Sequence, residues 1–530
     1  MMMQSSNRPI SANALNPWAL AALAALLIAA SLLPVRFLTN FSHDDAFFYL
    51  QVAKNTALGF GPTFDGFAYT NGFHPLWYMV VSMAYYPLGL LSVAEPNVYF
   101  RLAFGLHILL AAATIGMVFR LPSVRDSLES VWSRVLVAAG FVVLLFIRDV
   151  ATEAALGCFL AAAMIWVKSR EWQSGATFPV RKAVLYSALF LTRTDFLYTF
   201  IPMLILADVL TTRGTRQRLQ TALYAAGGLI LAAGLYYTWN LESFGHAFSV
   251  SARIKLAYPD VVFADNMMNL LAERKMVALR TGLSFLTSVI AGLVLLSPKR
   301  RSRMNIYLAC ALLGASGLLL LSLLYNYHGL RSWYTAVPVM LSVLWLSINV
   351  PAKLLSKPYV AIPGIAIMLA YFMVVRVLIV KWDVQHDFAD AVDTVLPANA
   401  RLLQIDHSGM VGFFSARHVV NGDGLINSFE YWNSLRRGEV LRYMEKYAIE
   451  YYATRTAAFD SSRSIYVDAP FDNIHGFERF AGLRLTFPQE QCVYQNTFDY
   501  TYPFERIGGT WSIFKIPPAS RPLHALRYSR

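Results

Sequence analysis

Charge is scarce in this chain. Asp, Glu, Lys and Arg make up 15 % of its 530 residues, against about 25 % in soluble globular domains. With 56 % hydrophobic residues and a mean hydropathy of +0.45, that scarcity excludes a water-soluble globule and implies a polytopic membrane protein. Cysteine is nearly absent as well. Cys158 and Cys310 fall inside apolar runs and Cys492 stands alone near the C-terminus, so neither a disulfide framework nor a Cys-based metal site follows. Repeats and low-complexity tracts are missing, and the first hydrophobic stretch has no small-residue cleavage site. Residues 17–37 are therefore expected to stay as a first span behind a disordered cytoplasmic N-terminus, 1–15. The net charge of +13 does not point to nucleic acid, because the basic residues cluster in short loops between apolar runs.

Those runs cover about residues 16–38, 74–92, 98–120, 131–148, 151–167, 183–195, 197–210, 219–240, 281–297, 305–325, 333–349 and 358–380. Basic clusters at 120–134, 168–182, 213–218, 299–303 and 353–357 mark cytoplasmic loops. The opposite, outer side then receives residues 149–153, 192–196, 241–278, 326–332 and everything from Asp383 onward. The alternation closes only if 74–92 does not cross. That segment opens with His74-Pro75 and contains Tyr85-Tyr86-Pro87-Leu88-Gly89, and an aromatic-rich, Pro-broken stretch suits the interface. The expected architecture is an α-helical transmembrane domain, 16–382, of about eleven spans. It has outer loops at 39–97, with interfacial helices, and at 241–278. A small outer α/β domain, 383–530, follows, with strands at 401–406, 417–421 and 449–454 and a helix near 428–446.

Ionisable residues collect on the outer side. Asp44 and Asp45 stand where the first span emerges, a place with no packing use for two carboxylates, although a helix-end signal is the plain alternative. Arg148, Asp149 and Glu153 follow, then Arg193 and Asp195, Arg253 and Lys255, and finally His328, Arg331 and Tyr334. Each group alone reads equally well as a salt-bridged helix end. Together they suggest a pocket for a charged polar ligand. Asn71 and His74, in Thr70-Asn71-Gly72-Phe73-His74-Pro75-Leu76-Trp77, either form a capped interfacial helix start or contact phosphate or sugar hydroxyls. Cations suit the phosphate of an activated donor, and a carboxylate suits removal of an acceptor proton. A lipid-linked-sugar flippase or other transporter is the alternative, but its ionisable groups would lie near the midplane on repeated halves.

Three stretches carry a family resemblance: Asp44-Asp45-Ala46-Phe47, Thr70–Trp77, and Asn421-Gly422-Asp423-Gly424-Leu425-Ile426-Asn427-Ser428. With the architecture above, they resemble bacterial membrane proteins of the GT-C glycosyltransferase superfamily. That superfamily includes protein O-mannosyltransferases, lipid A aminoarabinose transferases, arabinofuranosyltransferases and oligosaccharyltransferase catalytic subunits. The resemblance implies a GT-C fold in the bacterial inner membrane and a polyprenyl-phosphate sugar donor. The acceptor would be an envelope glycan, a glycolipid or a protein. A catalytic base would lie at Asp44 or Asp45, with Asp44 the first choice. Asp149 and Glu153 would form the second acidic site. Some members bind a divalent cation between two such sites and others need no cofactor; here the ligands would be Asp45, Asp149 and Glu153, without a clean Asp-x-Asp or Asp-x-Glu. Arg193, Arg253, Lys255 and Arg331 are expected at the donor phosphate, and Asp423 and Asn427 at the acceptor or holding a turn.

Overall fold

The computed structural model describes residues 25–29, 31–128, 130–146, 149–355, 357–373, 383–471, 484–502 and 505–516. The expected N-terminal segment 1–15, residues 16–24 of the first span, Arg148 and the end of the 358–380 run lie outside them. Every other apolar run is a helix: α1 (Asp44–Ala57) and α2 (Pro75–Leu90), then α3 (Pro96–Phe119), α4 (Val131–Phe146), α5 (Ala154–Ser174), α6 (Pro179–Thr192), α7 (Phe200–Thr211) and α8 (Thr215–Phe244). A short α9 (Val250–Lys255) leads to α10 (Lys275–Val294), α11 (Arg303–Tyr325), α12 (Ala336–Asn349) and α13 (Pro358–Phe372). By length and composition, α3, α8, α10 and α11 can cross a membrane, and α4, α7 and α13 contain shorter apolar helices. The expected number of about eleven spans is larger than this set of long helices, because helices such as α6 and α7, at 14 and 12 residues, are too short to span straight.

Helix α2 runs through Pro87 rather than breaking there. Its buried face, Trp77, Val81 and Tyr85, packs inward while Met79, Met83, Tyr86 and Leu90 stay exposed. Gly89 lets α2 touch α1, since a Cβ there would lie 2.0 Å from the Ala57 carbonyl oxygen.

Hydroxyls hold α10 to its neighbours: Ser288 lies 2.7 Å from Ser316 on α11, and Thr287 2.6 Å from Ser342 on α12. Small polar contacts of this kind join helices that gain nothing from the hydrophobic effect in lipid. At the other end of the bundle from Asp45, by the charge topology, Lys168 and Glu171 on α5, Lys182 on α6 and Asp208 on α7 close a ring of ion pairs of 3.1–3.4 Å, each at most 4 % exposed. Each lysine meets both carboxylates, which is how four charges tolerate such burial.

The C-terminal region continues with α14 (Asp383–Val395), β1 (Arg401–Gln404), α15 (Ser408–Phe414), β2 (His418–Asn421), α16 (Phe429–Arg437), α17 (Val440–Lys446) and β3 (Tyr451–Thr454). The expected single helix near 428–446 is two, because Gly438 takes a left-handed φ of +70° at the end of α16. Strands β4 (Ala458–Asp460), β5 (Ile465–Asp468) and β6 (Leu485–Pro488) form a meander, and β7 (Cys492–Tyr502) pairs with β8 (Glu505–Lys515). The main sheet has the order β2-β1-β3-β8-β7, with β1 to β3 parallel. Chain direction therefore puts the loops after β1 and β2 together, at the edge where open α/β sheets bind ligands. Those loops face α1 and residues 70–74.

Candidate active site

The two adjacent aspartates have different surroundings. Asp44 is 4 % exposed and sits at the N-terminus of α15. Its Oδ2 accepts the Gly409 N–H at 3.0 Å and its Oδ1 the Met410 N–H at 2.8 Å. A Cβ on Gly409 would lie 2.3 Å from the Asp44 carbonyl oxygen, so only glycine permits the approach. At the far end of α15, Lys54 donates to the Phe413 carbonyl at 2.8 Å. Helix α1 thus grips α15 by both ends, with a carboxyl on orphan N–H groups and an ammonium on an orphan C=O, in the sense that suits the dipole. Phe47 packs between them on Phe413 and Phe414. Burial drives both groups toward neutrality. It lifts Asp44 to about 8 against the two N–H bonds that pull it down, and lowers Lys54 to about 7. Asp44 is therefore an anchor for the C-terminal domain. Of the two aspartates expected to supply a base, Asp44 is the one whose carboxyl oxygens are occupied by backbone N–H groups.

Asp45 points into a small niche of about 40 Å³ and keeps 26 % of its side chain exposed. Tyr49, one helical turn on, shares its face. Phe73, His74, Thr152, Glu153, Lys255, Trp333 and Tyr334 complete the walls, and Leu425–Ile426 of the C-terminal domain lie over it. Burial alone would raise the Asp45 carboxyl, but the His43 hydrogen bond and the charges of His43, Lys255 and Arg331 hold it below the usual carboxylate range. His43 Nδ1 lies 3.2 Å from Asp45 Oδ1 and 3.3 Å from the Asp45 N–H nitrogen. One ring nitrogen serves only one of these at a time: without a proton on Nδ1 it caps the helix, and with one it donates to the carboxylate.

Behind the niche, Arg193 is fully committed. It donates to Glu153 at 2.8 Å and to both Asp195 oxygens at 3.1 and 2.7 Å, and it stacks on the Tyr334 ring at 4.1 Å. His74 Nε2 is 3.9 Å from Glu153; burial and the Arg193 charge lower its pKa to about 3, so it is neutral at ordinary pH. Asp149 pairs with Arg280 at 3.2 Å. Asp149 and Glu153 are thus each taken by an arginine. They do not join Asp45 as a ligand set for a divalent cation, and among the described residues no group of three His, Cys, Asp or Glu does so.

Lys255 and Arg331 differ: among the described residues neither makes an ion pair, and both act on Asp45. Lys255 also lines a second cavity of about 430 Å³ that shares His74, Ser251 and Tyr334 with the niche. Arg193, Asp195 and Arg253 edge this cavity, and Tyr236, Tyr237, Leu318, Leu321 and Tyr325 make its apolar wall. The expected substrate contacts at Lys255, Arg253, His74 and Tyr334 therefore meet in one place, and Arg331 lies close by.

Other expected site residues are brought close but perform structural work. Asn71, 1 % exposed, donates to Asn240 at 2.8 Å and accepts the Val250 N–H at 2.9 Å, stapling the first loop to α8 and α9. His328 is buried outside both cavities, and its carbonyl accepts from Arg274. Asp423 accepts the Leu425 N–H, and Asn427 donates to the Asn421 carbonyl while its own carbonyl accepts from Thr70. Both hold the turn over the niche. The burial of Asp423 lifts its pKa to about 7. Tyr49, Trp333 and Arg280 were not expected. Tyr49 was findable as the residue four after Asp45, and Arg280 as a basic residue at the outer end of an apolar run.

No family model and no curated protein matches the chain. Solved structures similar to it include the apo oligosaccharyltransferase of Archaeoglobus fulgidus, at 13 % identity, 83 % of this chain and 70 % of that one, and a TM-score of 0.46. They also include AglB from the same organism with an inhibitory peptide and a dolichol-phosphate, at 13 % identity, 82 % and 69 % coverage and a TM-score of 0.43. The Archaeoglobus enzyme tethered to an acceptor peptide with an NVT sequon matches at 12 % identity, 96 % and 75 % coverage and a TM-score of 0.42.

Proposed function

We propose that this chain is a GT-C glycosyltransferase that moves one hexosyl or pentosyl unit from a polyprenyl-phosphate donor to a hydroxyl on an envelope glycan, glycolipid or protein. It works on the outer face of a bacterial inner membrane, with the N-terminus cytoplasmic. The observation that carries the reading is Asp45, a part-exposed carboxylate in a walled niche lined by Lys255, with the Arg331 charge acting on it. Asp45 takes the acceptor O–H proton while that oxygen attacks the anomeric carbon. The bond from that carbon to the phosphate oxygen breaks, its electron pair leaves with the phosphate, and Lys255 and Arg331 hold the departing charge. A single displacement of this kind inverts the anomeric centre. Neutral His74 would hydrogen-bond the sugar.

Transport is the weaker reading. The Lys168–Glu171–Lys182–Asp208 charges at the other end are closed on one another and offer a substrate no path between faces.

Mass spectrometry of envelope glycans and polyprenyl-phosphate lipids from deletion, wild-type and Asp45→Asn strains tests the proposal. The deletion is expected to lose a defined sugar mass that wild type restores and Asp45→Asn, at normal expression, does not. Full restoration by Asp45→Asn would remove the carboxylate, and with it the enzyme reading.

A further inference from the structure

The niche around Asp45 is shut. At about 40 Å³ it has room for about three water molecules, fewer atoms than any sugar unit. His74, Ser251, Lys255 and Tyr334 line both the niche and the cation-edged cavity, so the donor phosphate can reach Asp45 from that side. An inverting displacement brings the acceptor oxygen to the opposite face of the sugar. Away from the cavity, the part of the wall that another domain supplies is Leu425–Ile426, in the turn 422–428 between β2 and α16.

That turn is braced within its own domain. Asp423 accepts the Leu425 N–H, Asn427 donates to the Asn421 carbonyl, and the Tyr431 hydroxyl donates to the Gly422 carbonyl. Across the seam it rests on the first outer loop. The Thr70 hydroxyl donates to the Asn427 carbonyl at 2.9 Å, and a Cβ on Gly72 would lie 2.2 Å from the Leu425 carbonyl oxygen. Its other flank meets α9, the helix that carries Lys255: a Cβ on Gly424 would lie 3.1 Å from Ile254 Cδ1. The turn therefore takes its shape from one domain and its seat from the other. We infer that turn 422–428 is a lid, which lifts to admit the acceptor and seats on Gly72 to keep bulk water from Asp45, so that the sugar passes to the acceptor and not to water. This rests on the glycosyltransferase reading and adds the control of that same site. With the lid unseated, water takes the acceptor's place. Its oxygen bonds to the anomeric carbon and its proton goes to Asp45. The bond to the phosphate oxygen breaks with its electron pair on the phosphate, leaving free sugar and polyprenyl phosphate.

The test follows two masses in the same strains: the sugar on its acceptor, and the sugar-charged polyprenyl phosphate. In the deletion strain and in Asp45→Asn the charged donor accumulates and the acceptor sugar is lost. Gly72→Ala wedges the seam, and Thr70→Val removes the hydroxyl that bonds both Gly72 and Asn427. Each variant, at normal expression, is expected to lower the acceptor sugar at least threefold while the charged donor stays at or below the wild-type level, because water consumes it. Thr70→Val carries the test if Gly72→Ala is poorly expressed. Charged donor that accumulates in both variants, as in the deletion, overturns the lid, and so does acceptor sugar at the wild-type level in both. A deletion strain that neither loses a sugar nor accumulates a donor overturns the transferase reading instead. Lid opening is read without activity from Ile426→Cys, at a position 1 % exposed, in a Cys492→Ser background with a membrane-impermeant maleimide. Labelling at least fivefold faster with Thr70→Val is expected, and equal rates overturn the lid.

Discussion

Replacing Asp44 with alanine separates anchoring from catalysis, and pH gives the test its sign. The substitution leaves the Gly409 and Met410 N–H groups without their buried acceptors, at about 1–3 kcal/mol each, so roughly 2–6 kcal/mol together. Against this stands the burial of the carboxyl, which lifts its pKa from 3.8 to about 8. A group raised in the folded state contributes stability that is complete below its unfolded pKa and is lost as pH rises toward the folded one. Between pH 5 and 8 docked Asp44 holds a proton that rehydrated Asp44 releases, so its contribution falls by about 1.4 kcal/mol per pH unit, some 4 kcal/mol in all. The advantage of wild type over Asp44→Ala is therefore expected to be several kcal/mol at pH 5 and to shrink toward zero by pH 8. Native-state hydrogen exchange of the amides of α15, corrected for intrinsic pH dependence, reads that opening free energy directly. Asp65 and Asp423, also raised by burial, cancel in the difference. A gap that widens with pH would refute the reasoning, since Asp44 would then be an ionised helix cap whose charge outweighs its burial.

Sugar transfer by Asp45→Asn is expected to drop by about 10²–10⁴-fold with thermal unfolding close to wild type, whereas Asp44→Ala keeps measurable transfer; product mass and a melting curve on the same preparations distinguish them. Lys255→Met should cut transfer and move its acid limb to higher pH, because Lys255 is one of the charges holding Asp45 ionised; a pH–rate profile in membranes checks the direction. Lys182→Met leaves Glu171 and Asp208 with one lysine between them and should cost about 3–5 kcal/mol, seen as a lowered unfolding midpoint in detergent. Asn71→Ala should loosen residues 245–260 without abolishing chemistry, and limited proteolysis at that loop reports it.

Much of the architecture was legible because membrane helices announce themselves in long apolar runs, and basic loops sort the ends. That sorting placed Glu153, Arg193, Lys255 and Tyr334 together from segments far apart in sequence, and the structure brings Glu153, Lys255 and Tyr334 to one niche with Arg193 behind it. Strands β1, β2 and β3 were legible for a similar reason: short apolar stretches between glycine-rich turns. What stayed hidden was which charges were already spent. Arg193 and Lys255 look alike as isolated cations near outer helix ends. Only the fold shows that Arg193 is enclosed by Glu153 and Asp195 while Lys255 remains open to the cavity.

The same limit explains the two aspartates. Neighbours on a helix point about 100° apart, so one of Asp44 and Asp45 had to face away from the niche. Nothing within α1 says which. The choice is made by Gly409, more than 350 residues later, whose missing side chain lets α15 settle on Asp44, and by Lys54, which holds the other end of α15. The arrangement makes the C-terminal domain part of the candidate site: the helix that carries Asp45 also carries both anchors, and Leu425–Ile426 line the niche. A C-terminal domain that drifted from α1 would open the niche to water and release the orientation of α1 together. Under the proposed function, the anchor beside Asp45 would couple closure of the niche to the geometry of proton removal, and a reduced transfer in Asp44→Ala that tracks α15 opening across pH would be the signature of that coupling.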